Sequence, residues 1–298
     1  MKKRAKRKLS NRELFLENCS PEMETPFSLA EYRDRLERVR EEMARRRIDL
    51  MYLSSPESMN YLSGYQAEWY QAQSPKLWPP MSGLAVHVDH DKFILFDSEE
   101  EETLIRYATV STDTRIFKAE EMSSAGGEIV RDLRKEGWLK GTVGLEMRSY
   151  RPNRVVSEAF QKDLERAGCK VVDGTEIVRE LRSIKSPAEL ACVETAARIA
   201  DVGMNAAIRY IRPGVSELDV YGEIVRAMCR AGGENAAITL PLSSGPKSPC
   251  VHGLPSRRKI MPGDIVNIDV CGVYNRYHCN MARCFSMGAP HPDVARVV

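Results

Sequence analysis

Long apolar runs are missing from this chain. None approaches the roughly 20 residues needed to cross a bilayer, which excludes a helical membrane span. Net charge is nearly absent too: at +2, with basic residues scattered beside acids, the sequence lacks the electrostatic footprint of a nucleic-acid binder. Disulfide and zinc spacings are also lacking. The eight cysteines (Cys19, Cys169, Cys192, Cys229, Cys250, Cys271, Cys279, Cys284) form no C-x-x-C pair and lie mostly in apolar helical or strand contexts, the pattern of free thiols in a reducing cytoplasm. The basic start, MKKRAKRKLSNREL, has neither the apolar stretch nor the small-residue cleavage site of a secretory signal and reads as a solvated arm. A cytoplasmic protein with no membrane or nucleic-acid partner is expected.

What is present is an ordinary globular composition, 43% hydrophobic and 29% charged, over 298 residues. That length favours two domains. In SLAEYRDRLERVREEMARRRID, Leu29, Tyr32, Leu36, Val39 and Met43 recur three or four residues apart, one apolar stripe on a charged helix that should pack on a sheet. DLMYLSS then reads as a buried strand stopped by Pro56. GLAVHVDHDKFILFDS reads as a hairpin turning at Asp89, His90 and Asp91, with His87 and His90 at the surface. Strands and helices alternate from there to about residue 182, which predicts an α/β domain over 26–182 after an arm over 1–25.

Around Ser186 the texture changes. SPAE is a capping box with Pro187 at the first helical position and opens a helix running to about Ile211; SELD at Ser216–Asp219 opens another, ended by Gly232 and Gly233. The boundary is placed at 182–186 and the second domain at 183–298. It continues with a strand in NAAITLPLSSG, a Pro-bounded loop PCVHGLPSRRKI, and two paired strands, PGDIVNIDVCG and YNRYHCNMARCFSMG.

The last pair carries the chemistry. A turn centred on Tyr274 and Asn275 would set Asp269 directly opposite Asn280, with Cβ atoms roughly 4.5–5.5 Å apart. The neighbours Ile268 and Val270 are apolar, so Asp269 would be a buried acid needing a cation or donors. The competing reading is a structural acid paired with Arg283 or Tyr277. His278 and Cys279 invite a zinc reading, but alternation sends them to opposite faces. SRRK at Ser256–Lys259 could attract an anion, although a solvated turn accounts for it as well.

The hairpin PGDIVNIDVCGVYNRYHCNMARCFSMG, the Ser244–Gly245 pair followed by His252, the SPAEL helix start and the EYRDRLERVREEM…DLMYLSSPESMNYLSGY stretch together resemble the creatinase, aminopeptidase P and prolidase family. The resemblance implies a creatinase-like N-terminal α/β domain followed by an α+β pita-bread catalytic domain, of which only the first half is present, and a homodimer. It also implies a divalent metal site (Mn, Zn, Co or Fe), in which Asp269 matches the first hairpin Asp of the metallopeptidases while Asn280 stands where the second would be, as a weak ligand or nearby donor. His252 matches the family histidine that contacts substrate or transfers protons, and Arg283 an arginine that supports the acids by charge pairing.

The expected function is therefore a hydrolase cutting a C–N bond of a small substrate such as an Xaa-Pro peptide. The alternatives are a metal-independent creatinase-like hydrolase of a small amide or guanidino compound, and a non-catalytic binding homologue. Because the chain ends at HPDVARVV, before the His and two Glu that complete the metal site of such peptidases, it is expected to be part of a longer protein or to pair with a second chain.

Overall fold

A computed structural model of the chain describes residues 24–66, 81–118, 121, 124–237 and 239–296. The basic arm expected at 1–25 lies, apart from Glu24 and Thr25, outside them. The chain divides into two compact units, Met1–Ile184 and Lys185–Val298.

The first unit is a mixed six-stranded sheet in the order β4-β3-β2-β1-β5-β6. Its elements are α1 (Leu29–Arg46), β1 (Leu50–Leu53), α2 (Pro56–Ser63), β2 (Gly83–His87), β3 (Phe93–Ser98), α3 (Glu102–Ala108), β4 (Thr114–Phe117), α4 (Ala125–Lys135), β5 (Thr142–Leu145), α5 (Arg154–Arg166), β6 (Lys170–Asp173) and α6 (Glu176–Ser183). Strand alternation sorts its core into two layers. Leu50, Tyr52, Ile94, Phe96 and Val143 pack under α4 and α5 with Trp138. Met51, Leu53, Leu84, Val86 and Leu95 pack on the other side against Leu36, Val39 and Met43 of α1 and Ile177 of α6. The β2–β3 hairpin forms as expected, but His87 does not lie at the surface: it is buried, tilted against Trp138 at 5.4 Å between ring centroids. Arg35, on the apolar side of α1, is fully buried. Its guanidinium pairs with the Glu31 carboxylate at 3.0 Å one turn back, donates to Tyr61 O at 3.0 Å and sits 4.2 Å from the Phe27 ring and 4.6 Å from the Tyr61 ring, so an ion pair and aromatic faces together replace the water it loses.

The second unit packs two helices, α7 (Pro187–Tyr210) and α8 (Glu217–Arg230), on one face of a three-stranded antiparallel sheet, β7 (Leu242–Ser244), β8 (Ile265–Tyr274) and β9 (Tyr277–Ser286); a short α9 (Pro292–Ala295) follows. Both helices start at complete capping boxes, Ser186 with Glu189 and Ser216 with Asp219. Val266, Ile268 and Val270 of β8 face the helices. Beside them Gly272 lets the strand touch the helix backbone: a Cβ there would overlap Ala196 O and stand 2.6 Å from Ala200 N. Gly272→Ala is therefore expected to destabilise this unit by about 3 kcal/mol, because backbone cannot step aside as a side chain can. A urea unfolding curve unchanged to within about 0.5 kcal/mol would show that the approach is looser than described.

Candidate functional site

The β8–β9 turn is not where the sequence spacing puts it. Its two central residues are Asn275 and Arg276, with φ of 50° and 64°, and strand pairing starts at Tyr274 with Tyr277. Both central residues are left-handed, as a two-residue hairpin turn of the mirror type requires. Asn tolerates that conformation; Arg does so at a cost. Glu234 offsets it, its carboxylate accepting from the Asn275 amide at 2.6 Å and the Arg276 amide at 3.0 Å. Moving the turn by one residue moves every partner by two, so Asp269 pairs with Ala282, and Asn280 with Cys271. A shift of two leaves each side chain on its face. Asp269 and Asn280 are thus diagonal neighbours, and the Asn280 amide Nδ2 donates to Asp269 Oδ1 at 2.7 Å.

That face is the one turned away from the helices. Toward the turn Cys271 and Val273 are buried, whereas Asp269 is half-buried and Asn280 exposed, so the acid is less enclosed than its apolar neighbours suggested. Arg283 does not support it. It pairs with Ile268, on the opposite face, donates to Ala282 O at 2.7 Å, and forms no ion pair with Asp269 among the described residues. Tyr277 is likewise directed elsewhere, its hydroxyl donating to Glu189 Oε1 at 2.7 Å. His278 has both ring nitrogens committed: Nε2 accepts from the Ala237 amide at 3.2 Å, which leaves Nδ1 to donate to Arg276 O at 2.8 Å. Desolvation of the ring holds its pKa below the ordinary histidine value, so it stays neutral and has no lone pair for a metal.

His252 lies exposed in the loop between β7 and β8. Two bonds fasten this loop to the sheet: Leu242 N donates to Gly253 O at 2.9 Å, and Asn267 Nδ2, two residues from Asp269 on the same face, donates to Ser248 O at 2.6 Å. The structure thereby joins Asp269 and Asn280 directly and ties the His252 loop to the sheet that carries them.

The groups that shape the loop were not singled out by sequence reasoning. Glu217, in the first turn of α8, is fully buried and accepts from Ser244 N (2.9 Å), Ser244 Oγ (2.7 Å), Lys247 Nζ (2.6 Å), Ser256 N (2.9 Å) and Ser256 Oγ (2.7 Å). One carboxylate thus grips both ends of the loop. Arg258 pairs through both terminal nitrogens with Asp264, at 2.5 and 3.1 Å, and donates to Ser244 Oγ at 2.6 Å, so the SRRK run is not simply a solvated turn. The available signal was the SELD box, which puts Glu217 where the helix dipole favours an anion.

Two family models match this chain: the creatinase/prolidase N-terminal domain over residues 35–184 and the metallopeptidase family M24 over residues 191–298. The chain belongs to the creatinase/prolidase family of M24 proteins. It is 27% identical to an Xaa-Pro dipeptidase of Pyrococcus furiosus, over 87% of this chain and 66% of that protein, and 27% identical to an ectoine hydrolase of Halomonas elongata, over 91% of this chain and 69% of that one. An X-Pro aminopeptidase structure from Thermotoga maritima superposes with a TM-score of 0.73 at 19% identity, covering 88% of this chain and 67% of its own, and shares the fold. The architecture is a creatinase N-terminal domain joined to part of the pita-bread catalytic domain. The chain spans about two thirds of the length of these relatives.

The family name implies divalent metal, toward which this face of the chain offers the Asp269 carboxylate and the Asn280 amide. Among the described residues no group of three or more His, Cys, Asp or Glu side chains converges on a point where an ion could sit. Asn280 aims an N–H at Asp269 Oδ1, so a cation on this face would share that carboxylate with the amide.

Burial pushes the Glu217 carboxyl up, but the Lys247 ammonium and the serine donors outweigh it and hold its pKa below the ordinary glutamate value. A carboxylate so depressed stabilises the fold above the ordinary value, about 4.3, and that contribution is lost as pH falls through the folded one. Glu217→Gln should cost about 2 kcal/mol at pH 7 and flatten the acid-side fall of the urea midpoint between about pH 5 and 3. Equal pH slopes in the variant and the parent would refute the clamp.

Proposed function

We propose that this chain carries the proton-transfer and substrate-orienting part of a hydrolase that cleaves a C–N bond in a small peptide or amide. The observation that carries this is the fastening of the His252 loop, through Asn267, to the sheet face that presents Asp269. His252, exposed and without a hydrogen bond to a described residue, is the group for proton transfer: it takes a proton from the attacking water and returns it to the departing nitrogen. Glu217 keeps that loop in place, and Asp269 with Asn280 orients the substrate. The similarity to an Xaa-Pro dipeptidase makes Xaa-Pro dipeptides the first substrates to assay, and homodimer assembly in the cytoplasm belongs to the same reading.

A second reading is supported by the Asn280–Asp269 bond: a metal-independent hydrolase of a small amide or guanidino compound. The similarity to an ectoine hydrolase is in keeping with it. The third, a binding homologue without turnover, keeps the scaffold and uses the pair for recognition alone.

Hydrolysis of Ala-Pro and Gly-Pro, assayed with and without prior dialysis against EDTA, separates the three. Activity abolished by chelation and restored by Mn²⁺ supports the dipeptidase reading, activity that survives it the metal-independent one, and failure on these and on small amides and guanidino compounds the binding homologue. Where activity is found, His252→Ala should lower kcat by roughly 10²–10⁴. An unchanged kcat would remove His252 from the chemistry.

A further inference from the structure

The β2–β3 turn carries two histidines that the proposed hydrolase does not use. His87, at the end of β2, is buried, and His90, three residues on, is exposed. Their rings meet edge to face at 4.8 Å between centroids, and both lie against the Trp138 indole, His87 tilted at 5.4 Å and His90 stacked at 5.0 Å. The turn also reaches the other side of the sheet, where Arg40 of α1 donates to His90 O at 2.7 Å. One short turn is thus fastened to both layers of the first unit. Within it, the Asp89 amide donates to His87 Nδ1 at 3.2 Å. A backbone N–H can only donate, so Nδ1 must offer its lone pair, which leaves the ring proton on Nε2.

That bond makes the turn sensitive to a single proton. A proton added at Nδ1 would point at the Asp89 N–H, and two donors cannot face each other at 3.2 Å, so the turn must open. We propose that the β2–β3 turn is a pH-operated latch: proton uptake by His87 breaks its bond to Asp89 and releases the turn from Trp138. The surroundings oppose that proton. Burial withdraws the ring from water, and His90 in the same turn repels it once charged. Asp89 in the turn and Asp49 ahead of β1 attract it less strongly, so the His87 pKa lies below the ordinary histidine value. Lys92, just before β3, holds its ammonium 5.7 Å from the Trp138 ring centroid and is committed to Asp113 and Glu136, while Arg40 of α1 lies 3.8 Å from Asp91. A protonated His90 stays on the indole face, which attracts a cation, and its charge delays the titration of His87. A base with a lowered folded value binds its proton better in the opened turn. The latch therefore contributes fully above about pH 6.5, the ordinary histidine value, and its hold is lost as pH falls through the folded one.

The test is an NMR titration of the 298-residue chain from about pH 8 to about pH 5, reading the ring nitrogens of ¹⁵N-labelled histidine, the exchange of the Asp89 amide and the Trp138 indole signal. At about pH 8 His87 is expected as the single Nε2–H tautomer. Below about pH 6.5 the protection of the Asp89 amide, taken against its intrinsic exchange at each pH, should fall by up to about tenfold per pH unit, the limit for uptake of one proton. The Trp138 signal should move with the same midpoint. His90→Gln, an exposed substitution, removes the repelling charge and should raise the His87 midpoint by about 0.3 pH unit or more. His87→Asn keeps an oxygen that accepts from the amide two residues on but has no proton to gain, and should make Asp89 protection independent of pH. If His87→Asn does not fold, the parent chain and His90→Gln decide. The proposal is overturned by an Nδ1–H tautomer at about pH 8, by titration of His87 with no change at Asp89 and Trp138, by Asp89 protection that stays flat down to about pH 5, or by a His87 midpoint that His90→Gln leaves in place.

Discussion

The register of one hairpin governs what the second unit can do. β8 has a helix-facing side of Val266, Ile268, Val270 and Gly272, and the close approach of Gly272 to α7 leaves no latitude for another side chain there. A slip by one residue would turn Asp269 into that packed layer, where an unpaired carboxylate costs several kcal/mol, and Ile268 out to water. The slip is prevented at the turn, where Glu234 holds the amides of Asn275 and Arg276 in left-handed conformations. The placement of the acid is therefore decided some distance along the strand from the acid itself.

The loop bearing His252 depends on a second carboxylate in a different way. Glu217 is wholly withdrawn from water, and its five donors are more numerous than a surface ion pair could gather. A buried carboxylate tolerates such a place only when its oxygens are saturated, and that saturation makes the loop geometry unique: moving either end strands a charge. Under the proposed role of His252 in proton transfer this rigidity is useful, because its own ring lacks hydrogen bonds to described residues that would hold it.

Much of this was legible in the sequence, for reasons that differ by element. The apolar stripe of α1, the alternating strands, the SPAE capping box and the helix start at SELD are local patterns, each written within a few residues, and they form as expected. The existence of the β8–β9 hairpin was legible; its register was not, because a non-glycine pair at Asn275 and Arg276 gives no strong turn signal and Glu234 lies far back in the chain. Long-range compensation hid the rest. A buried His87 depends on Trp138 and Glu217 on serines beyond residue 240, neither of which is announced by spacing. Family motifs placed Arg283 beside the acids, whereas strand parity places it behind them.

An amide at position 280, where the family resemblance leads one to expect an acid, is similar in shape and different in electrostatics. Asp and Asn differ by one atom, yet the amide changes from competitor to partner: two carboxylates on this diagonal would repel and seek a cation between them, while an amide satisfies the carboxylate without one. A hydrogen bond at 2.7 Å joins the amide to the acid here.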